Sequence, residues 1–274
     1  MWGRFASTRF PASLQRWANR AFARVVGVDL TESEHPPEAY PSLSAFFVRK
    51  LKPGLRSWPV PEGVPGSPVD GVLGAHGTFQ DGHVLQAKGL EYALPDLLQE
   101  REHGRFESGV FFTIYLSPRH YHRIHAPAGG RLREARAVPG RLLPVNLPAV
   151  RSVPDLFPRN ERLVALLERG GVELALVAVG AYNVGSVSAA FDPGWGGGSG
   201  GTVTNRAGRT TIDVRRYDPP LSIERGEELM AFHLGSTVVM VVSSPWSFLP
   251  PIHPGLREGA ELRLGSPLFD GPLA

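Results

Sequence analysis

From about Ser57 onward the chain is a succession of short β-type runs punctuated by Gly and Pro, and this punctuation most limits what it can fold into. With 32 Gly and 26 Pro in 274 residues, long helices are interrupted too often to dominate. Strand patterns fall at 71–79, 84–88, 110–116, 130–137, 172–179, 184–189, 210–214 and 237–242. Helical patterns fall at 11–26 and 43–51, with shorter ones expected at 93–100 and 159–167. The fold class that follows is α+β and strand-rich, with a β-sheet or barrel-like core and amphipathic helices at the N-terminal end. Residues 31–45 read as a linker, and the glycine-rich stretch 193–201 as a surface loop.

Residues 1–28 carry five Arg and no acidic residue. Leu14, Trp17, Ala18, Ala21, Val25 and Val28 share one helical face, while Arg16, Arg20 and Arg24 recur four apart on the other side. Such a helix suits an anionic membrane surface or, equally, the surface of its own domain. No apolar run approaches the ~20 residues that span a bilayer, and the N-terminus lacks the apolar stretch of a signal peptide, so the expectation is an intracellular protein with peripheral membrane contact. The net charge of +3 gives no argument for nucleic acid. There is no cysteine, which excludes thiolate nucleophiles, disulfides and Cys-based metal sites.

Three segments carry candidate chemistry. Ser67–Pro68–Val69–Asp70–Gly71 places an Asp on a tight turn. Residues 116–127 (LSPRHYHRIHAP) hold His120, His122 and His125. Residues 232–242 (FHLGSTVVMVV) set Gly235 and Ser236 before an apolar strand. Singly, each has an ordinary explanation as a turn, a pair of solvated or core histidines, or a loop. Together they supply an acid, a base and a hydroxyl. A metal-dependent hydrolase using the three histidines with Asp70 and Glu107 is a weaker alternative, because their spacing matches no helical H-E-x-x-H site.

Through residues 44–56 (SAFFVRKLKPGLR), 67–71, 86–98 (QAKGLEYALPDLL), 111–127, 140–146 (GRLLPVN), 156–162 (LFPRNER), 179–187 (VGAYNVGSV) and 225–239 (RGEELMAFHLGSTVV), the chain resembles the phosphatidylserine decarboxylase family. The LGST element is similar to the bacterial and mitochondrial form of that family's self-processing site. His120, Met230 and Arg225 depart from the residues usual there.

The resemblance implies a pyruvoyl-dependent carboxy-lyase that converts phosphatidylserine to phosphatidylethanolamine and carbon dioxide. It implies a proenzyme cleaved between Gly235 and Ser236 into chains 1–235 and 236–274, with Ser236 becoming the pyruvoyl cofactor and no metal. His125 is then the expected base, Asp70 the residue that orients it, and His122 the group near the substrate during decarboxylation. The implied setting is an anionic membrane at the cytoplasmic face of the cell membrane, approached by residues 1–35. Residues 36–274 form the catalytic part, and the implied assembly is a homodimer of processed two-chain protomers.

Overall fold

The computed structural model describes residues 10–87, 89–100, 105–182, 185–196, 201–205, 210–233, 237–244 and 249–273. Its centre is an antiparallel sheet of eight strands. In chain order these are β1 (Gly71–Phe79), β4 (Gly109–Tyr115), β6 (Gly130–Val138), β7 (Arg162–Arg169), β8 (Val172–Val179), β10 (Asp213–Ile223), β12 (Thr237–Ser243) and β13 (Glu261–Leu262). The spatial order is β10-β6-β7-β8-β12-β4-β1-β13. A three-stranded sheet, β5 (Arg123–His125), β11 (Glu228–Phe232) and β9 (Val187–Ala189), covers one face. The hairpin of β2 (His83–Ala87) and β3 (Leu90–Ala93), followed by α3 (Leu94–Leu98), covers the other.

Sandwiching explains the composition of the central strands. Along β7, Leu163, Ala165 and Leu167 enter one core while Val164 and Leu166 enter the other. In β12 the division is Val238, Met240 and Val242 against Val239 and Val241. A strand buried on both faces loses the alternation that marks a half-exposed strand and reads as a continuous apolar run. This is why the helix expected over 159–167 is wrong. Only Leu156–Arg159 is helical (α5), and the apolar run after it is β7.

The sheet is open rather than barrel-like. Its edges are β13, two residues long, and β10, whose Arg215, Arg216, Asp218, Pro219 and Pro220 discourage pairing with another strand.

The N-terminal helix α1 (Ala12–Val26) docks through an unexpected face. Its buried residues are Gln15, Asn19 and Ala23. Asn19 donates to the carbonyls of Pro37 (2.8 Å) and Tyr40 (3.0 Å) and accepts from Gln15 (2.8 Å). Leu14, Trp17 (68% exposed) and Val25 (84% exposed) face outward. Segment 31–45, expected as a linker, is tied down by these bonds, by a 3-10 turn at Pro37–Ala39 and by a bridge between Ser33 and Leu51. It leads into α2 (Leu43–Phe47), capped by the Ser42 hydroxyl, which accepts from the Ala45 amide. Phe46 packs with Ala23 and Val28, and Phe47 reaches inward to the histidine segment.

Loop 139–146 is held by one fully buried side chain. Asn160 donates to the carbonyls of Leu143 (3.0 Å) and Gly180 (2.8 Å) and accepts from the Leu143 amide (3.0 Å). Asn160→Ala removes three hydrogen bonds and leaves backbone groups unsatisfied in the interior. The expected loss of unfolding free energy is about 2–4 kcal/mol, read as a lower denaturant midpoint. A change below about 0.5 kcal/mol would show that water replaces the amide without penalty.

Candidate active site

Strand β4 ends at Tyr115, and the chain turns at Ser117 before entering β5. The turn is closed by the His120 amide donating to the Ser117 carbonyl (3.0 Å). In return the Ser117 amide donates to His120 Nδ1 (2.9 Å), so His120 carries its proton on Nε2 and gives it to Glu261 Oε2 (3.1 Å). Burial lowers the His120 pKa, with Glu261 opposing.

His122 is fully buried, its ring centroid 4.0 Å from that of Phe47. Its Nδ1–H donates to the His120 carbonyl at 2.8 Å. That leaves a lone pair on Nε2, which has no partner among the described residues. Burial holds the imidazole well below the ordinary histidine pKa, and the nearby Arg49 charge acts in the same direction.

His125 lies at the end of β5, where its amide donates to the Pro68 carbonyl (2.9 Å) and brings the strand beside the Asp70 turn. Its Nδ1–H donates to the Gly226 carbonyl (2.8 Å), and Nε2 accepts from the Tyr121 hydroxyl (3.1 Å). Burial lowers its pKa, partly offset by the Gly226 bond and the charge of Glu228. Gly226 has a φ of +81°, and a Cβ there would stand 2.7 Å from Trp58 Nε1. Glycine is therefore required for this carbonyl to face the histidine.

Asp70 is buried, but its carboxylate turns to Arg56: Nε meets Oδ1 at 2.9 Å and Nη2 meets Oδ2 at 2.5 Å. The Leu264 amide donates to Oδ1 at 2.8 Å, and Arg56 continues to Glu32 (2.7 Å). Among the described residues Asp70 has no hydrogen bond to His125. The ring orientation expected of Asp70 is supplied by Gly226, and Asp70 acts on His125 through its charge, favouring the imidazolium.

Gly235 and Ser236 lie outside the described residues, but both ends of their segment are placed. The Phe232 amide donates to the His122 carbonyl (2.9 Å), and the His233 amide to the Ser186 carbonyl (2.9 Å). Thr237 opens β12 opposite Tyr115 on one side and Val179 on the other. Phe232 thus stands beside the histidine strand, and Thr237 between the ends of β4 and β8.

Sequence reasoning singled out Asp70, His122 and His125 but gave no role to Tyr121, Gly226, Arg56, Glu32 or Arg49. Tyr121, Gly226, Arg56 and Arg49 lie within the quoted motifs and Glu32 in the segment read as a linker, yet nothing in their spacing shows that they meet. Among the described residues no group of three His, Asp or Glu side chains is arranged to hold a metal ion.

Residues 43–270 match the family model described as phosphatidylserine decarboxylase. A protein of Anaeromyxobacter sp. (strain K), named phosphatidylserine decarboxylase proenzyme, is 42% identical over 97% of this chain and 91% of its own length. Proteins of the same name are 41% identical in Myxococcus xanthus (93% of this chain, 87% of the relative) and 43% identical in Halorhodospira halophila (93% and 83%). With the match running unbroken through the Asp70 turn, the histidine strand and β12, the chain belongs to the phosphatidylserine decarboxylase family.

Proposed function

We propose that this chain decarboxylates phosphatidylserine to phosphatidylethanolamine and carbon dioxide, using a pyruvoyl group that it makes by breaking its own backbone between Gly235 and Ser236. The observation that carries this reading is the pair His122 and His125. Each has its Nδ1–H tied to a backbone carbonyl and therefore offers a lone pair at Nε2. Burial lowers the pKa of both, so at neutral pH each ring keeps a basic Nε2. In His122 it is unpartnered among the described residues; in His125 it accepts from the Tyr121 hydroxyl, a bond that must give way when His125 takes the Ser236 proton.

In processing, His125 Nε2 takes the proton of the Ser236 hydroxyl, which is a poor nucleophile unaided. The alkoxide attacks the Gly235 carbonyl and the peptide becomes an ester. β-Elimination releases chain 1–235, and water displaces the nitrogen of residue 236 as ammonia, leaving a ketone. The charge of Asp70, fixed in place by Arg56, stabilises the imidazolium that forms on His125.

A ketone-bearing residue 236 needs a proton carrier beside the substrate, and His122 fits that need with a buried Nε2 that has no partner among the described residues. The pyruvoyl carbonyl supplies a sink for the electrons released with carbon dioxide, which no side chain can provide. Neutral His122 can take a proton from the substrate ammonium at Nε2 and return it to the carbon that loses carbon dioxide.

The substrate lies in a membrane, and α1 suits one. A polar stripe docks the helix, leaving Leu14, Trp17 and Val25 exposed next to Arg16, Arg20 and Arg24. In this reading residues 1–35 hold the catalytic part peripherally at the anionic, cytoplasmic face of the cell membrane.

Intact mass under denaturing conditions should show two pieces, 1–235 and a 39-residue 236–274 whose N-terminus resists Edman chemistry. Hydroxylamine should abolish turnover. Ser236→Ala and His125→Ala should remain one chain. His122→Ala should cleave, yet lose decarboxylation by about 10²–10⁴-fold, the range for a general acid–base group. Normal cleavage in His125→Ala, or near-normal turnover in His122→Ala, would overturn this division of labour.

The pH dependence of processing follows from His125. A base works when deprotonated, and its pKa in the fold lies below the ordinary 6.5. The cleavage rate of freshly refolded proenzyme should therefore stay level as pH falls through 6.5 and decline only further down. A midpoint at or above 6.5 would point to a different base.

For the membrane, Leu14→Glu with Trp17→Glu should weaken sedimentation with anionic vesicles by at least about tenfold, given the ~1.5–3 kcal/mol that burial of one such apolar side chain contributes. Salt should weaken the binding of the unaltered protein. Unchanged binding in the double variant would assign the membrane contact to another surface.

A further inference from the structure

One cation near the site has no carboxylate partner among the described residues and lies over the Phe46 ring, 5.6 Å from its centroid. Arg49 follows α2 and is 3% exposed. Its Nη2 donates to the carbonyls of Arg119 (2.9 Å) and His120 (3.1 Å), but among the described residues Nε and Nη1 have no acceptor although both are buried. Among the described residues no carboxylate lies within ion-pair distance of it. Arg49 lines a cavity of about 340 Å³ whose other walls include Arg56, Asp70, His120 and Tyr121.

The other charges of that cavity are the cations Arg56, Arg119 and Arg263 and the carboxylates Asp29, Glu32, Asp70 and Glu261. Arg56 holds Asp70 and Glu32, Arg119 holds Glu261, Arg263 stands 3.7 Å from Glu32, and Asp29 accepts from Thr31. Unmade hydrogen bonds on a buried guanidinium are costly, and an anion entering the cavity would complete them. Arg49 is also close enough to His122 for its charge to act on that ring. The anion it completes thus lies next to the histidine assigned to the substrate.

Resting on the decarboxylase reading, we propose that Arg49 binds the phosphodiester of the lipid headgroup through its free Nε–H and Nη1–H groups. The substrate carries two anions, and the chemistry separates them. A guanidinium on the carboxylate would stabilise the charge that must be lost with carbon dioxide, favouring the ground state over the transition state. The phosphodiester keeps its charge from substrate to product, so binding it anchors the headgroup without opposing the reaction. Arg also matches a phosphate with a planar fork, which Lys does not.

The test uses the processed protein and three soluble probes: glycerophosphoethanolamine, which has the phosphodiester and no carboxylate, ethanolamine, which has neither, and inorganic phosphate. Phosphorus NMR titration and calorimetry read binding, decarboxylation of phosphatidylserine in detergent micelles reads KM and kcat, and intact mass reads self-cleavage. Arg49→Gln is expected to cleave normally, to bind glycerophosphoethanolamine about 10- to 100-fold more weakly, and to raise KM by a similar factor with a smaller change in kcat. Arg49→Lys should fall between the two, and ethanolamine should bind both variants and the unaltered protein alike.

Equal binding of glycerophosphoethanolamine to Arg49→Gln and to the unaltered protein overturns the proposal. So does inorganic phosphate binding that depends on Arg49 while glycerophosphoethanolamine binding does not, which would make this a free-anion site. An uncleaved Arg49→Lys chain also overturns it, assigning Arg49 to folding or processing. If the unaltered protein binds the phosphodiester through Arg49 but does not decarboxylate phosphatidylserine, the decarboxylase reading fails and the anion site stands.

Discussion

The position of β12 in the middle of the sheet constrains everything around the site. This strand starts one residue after Ser236 and is hydrogen-bonded along its whole length to β4 on one side and β8 on the other. Val238, Val239, Met240, Val241 and Val242 are all fully buried, alternating between the two cores. At about 1.5–3 kcal/mol for each such side chain, their burial amounts to roughly 7–15 kcal/mol. Further along, β13 pairs with β1, and Leu268 and Phe269 enter the core. A chain broken before Ser236 is therefore still held together by the sheet. Thr237 opens a strand that cannot shift register without moving every side chain to the wrong face.

Polar groups close to this strand are held by backbone carbonyls more than by opposite charges. His122 and His125 each give Nδ1–H to a carbonyl, which sets the tautomer without adding charge. Arg162, almost fully buried, donates to the carbonyls of Leu97, Pro158, Asn160 and Asp96. Its pKa falls to about 10 through burial, and the acceptors it finds are the orphan carbonyls at the ends of α3 and α5. Carboxylates are used where a charge has to stay fixed, as with Asp70 on Arg56 and Glu32 behind it. That last link joins the segment after α1 to the turn carrying Asp70, so the N-terminal part and the site share one ion-pair chain.

The N-terminal helix shows why a face read from periodicity is not the same as a buried face. Its apolar residues do lie together, but its polar docking contacts come from Asn19, which donates to the carbonyls of Pro37 and Tyr40, and from Gln15, which donates to Asn19. Burying two amides is acceptable because each finds acceptors and donors there. Leu14, Trp17 and Val25 are left for another surface, while Ala23 and Val28 pack on Phe46.

Much of this protein is written in local sequence. Strands 71–79 and 172–179 fall where their β-branched and Gly-bounded runs put them, α1 follows from its period, and Asp70, His122, His125, Gly235 and Ser236 stand out by motif. The tertiary structure decided what local pattern could not. Whether 162–169 is helix or strand depends on a second core covering its other face. Which group orients His125 depends on a glycine 101 residues away that can adopt a left-handed backbone. That Asp70 faces Arg56, and that Arg49 is left with unfilled donors beside His122, follows from how separate segments pack. A sequence states each residue's chemistry and local preference, but a hydrogen bond needs an orientation, and orientation across long separations is set only when the sheet closes over both cores.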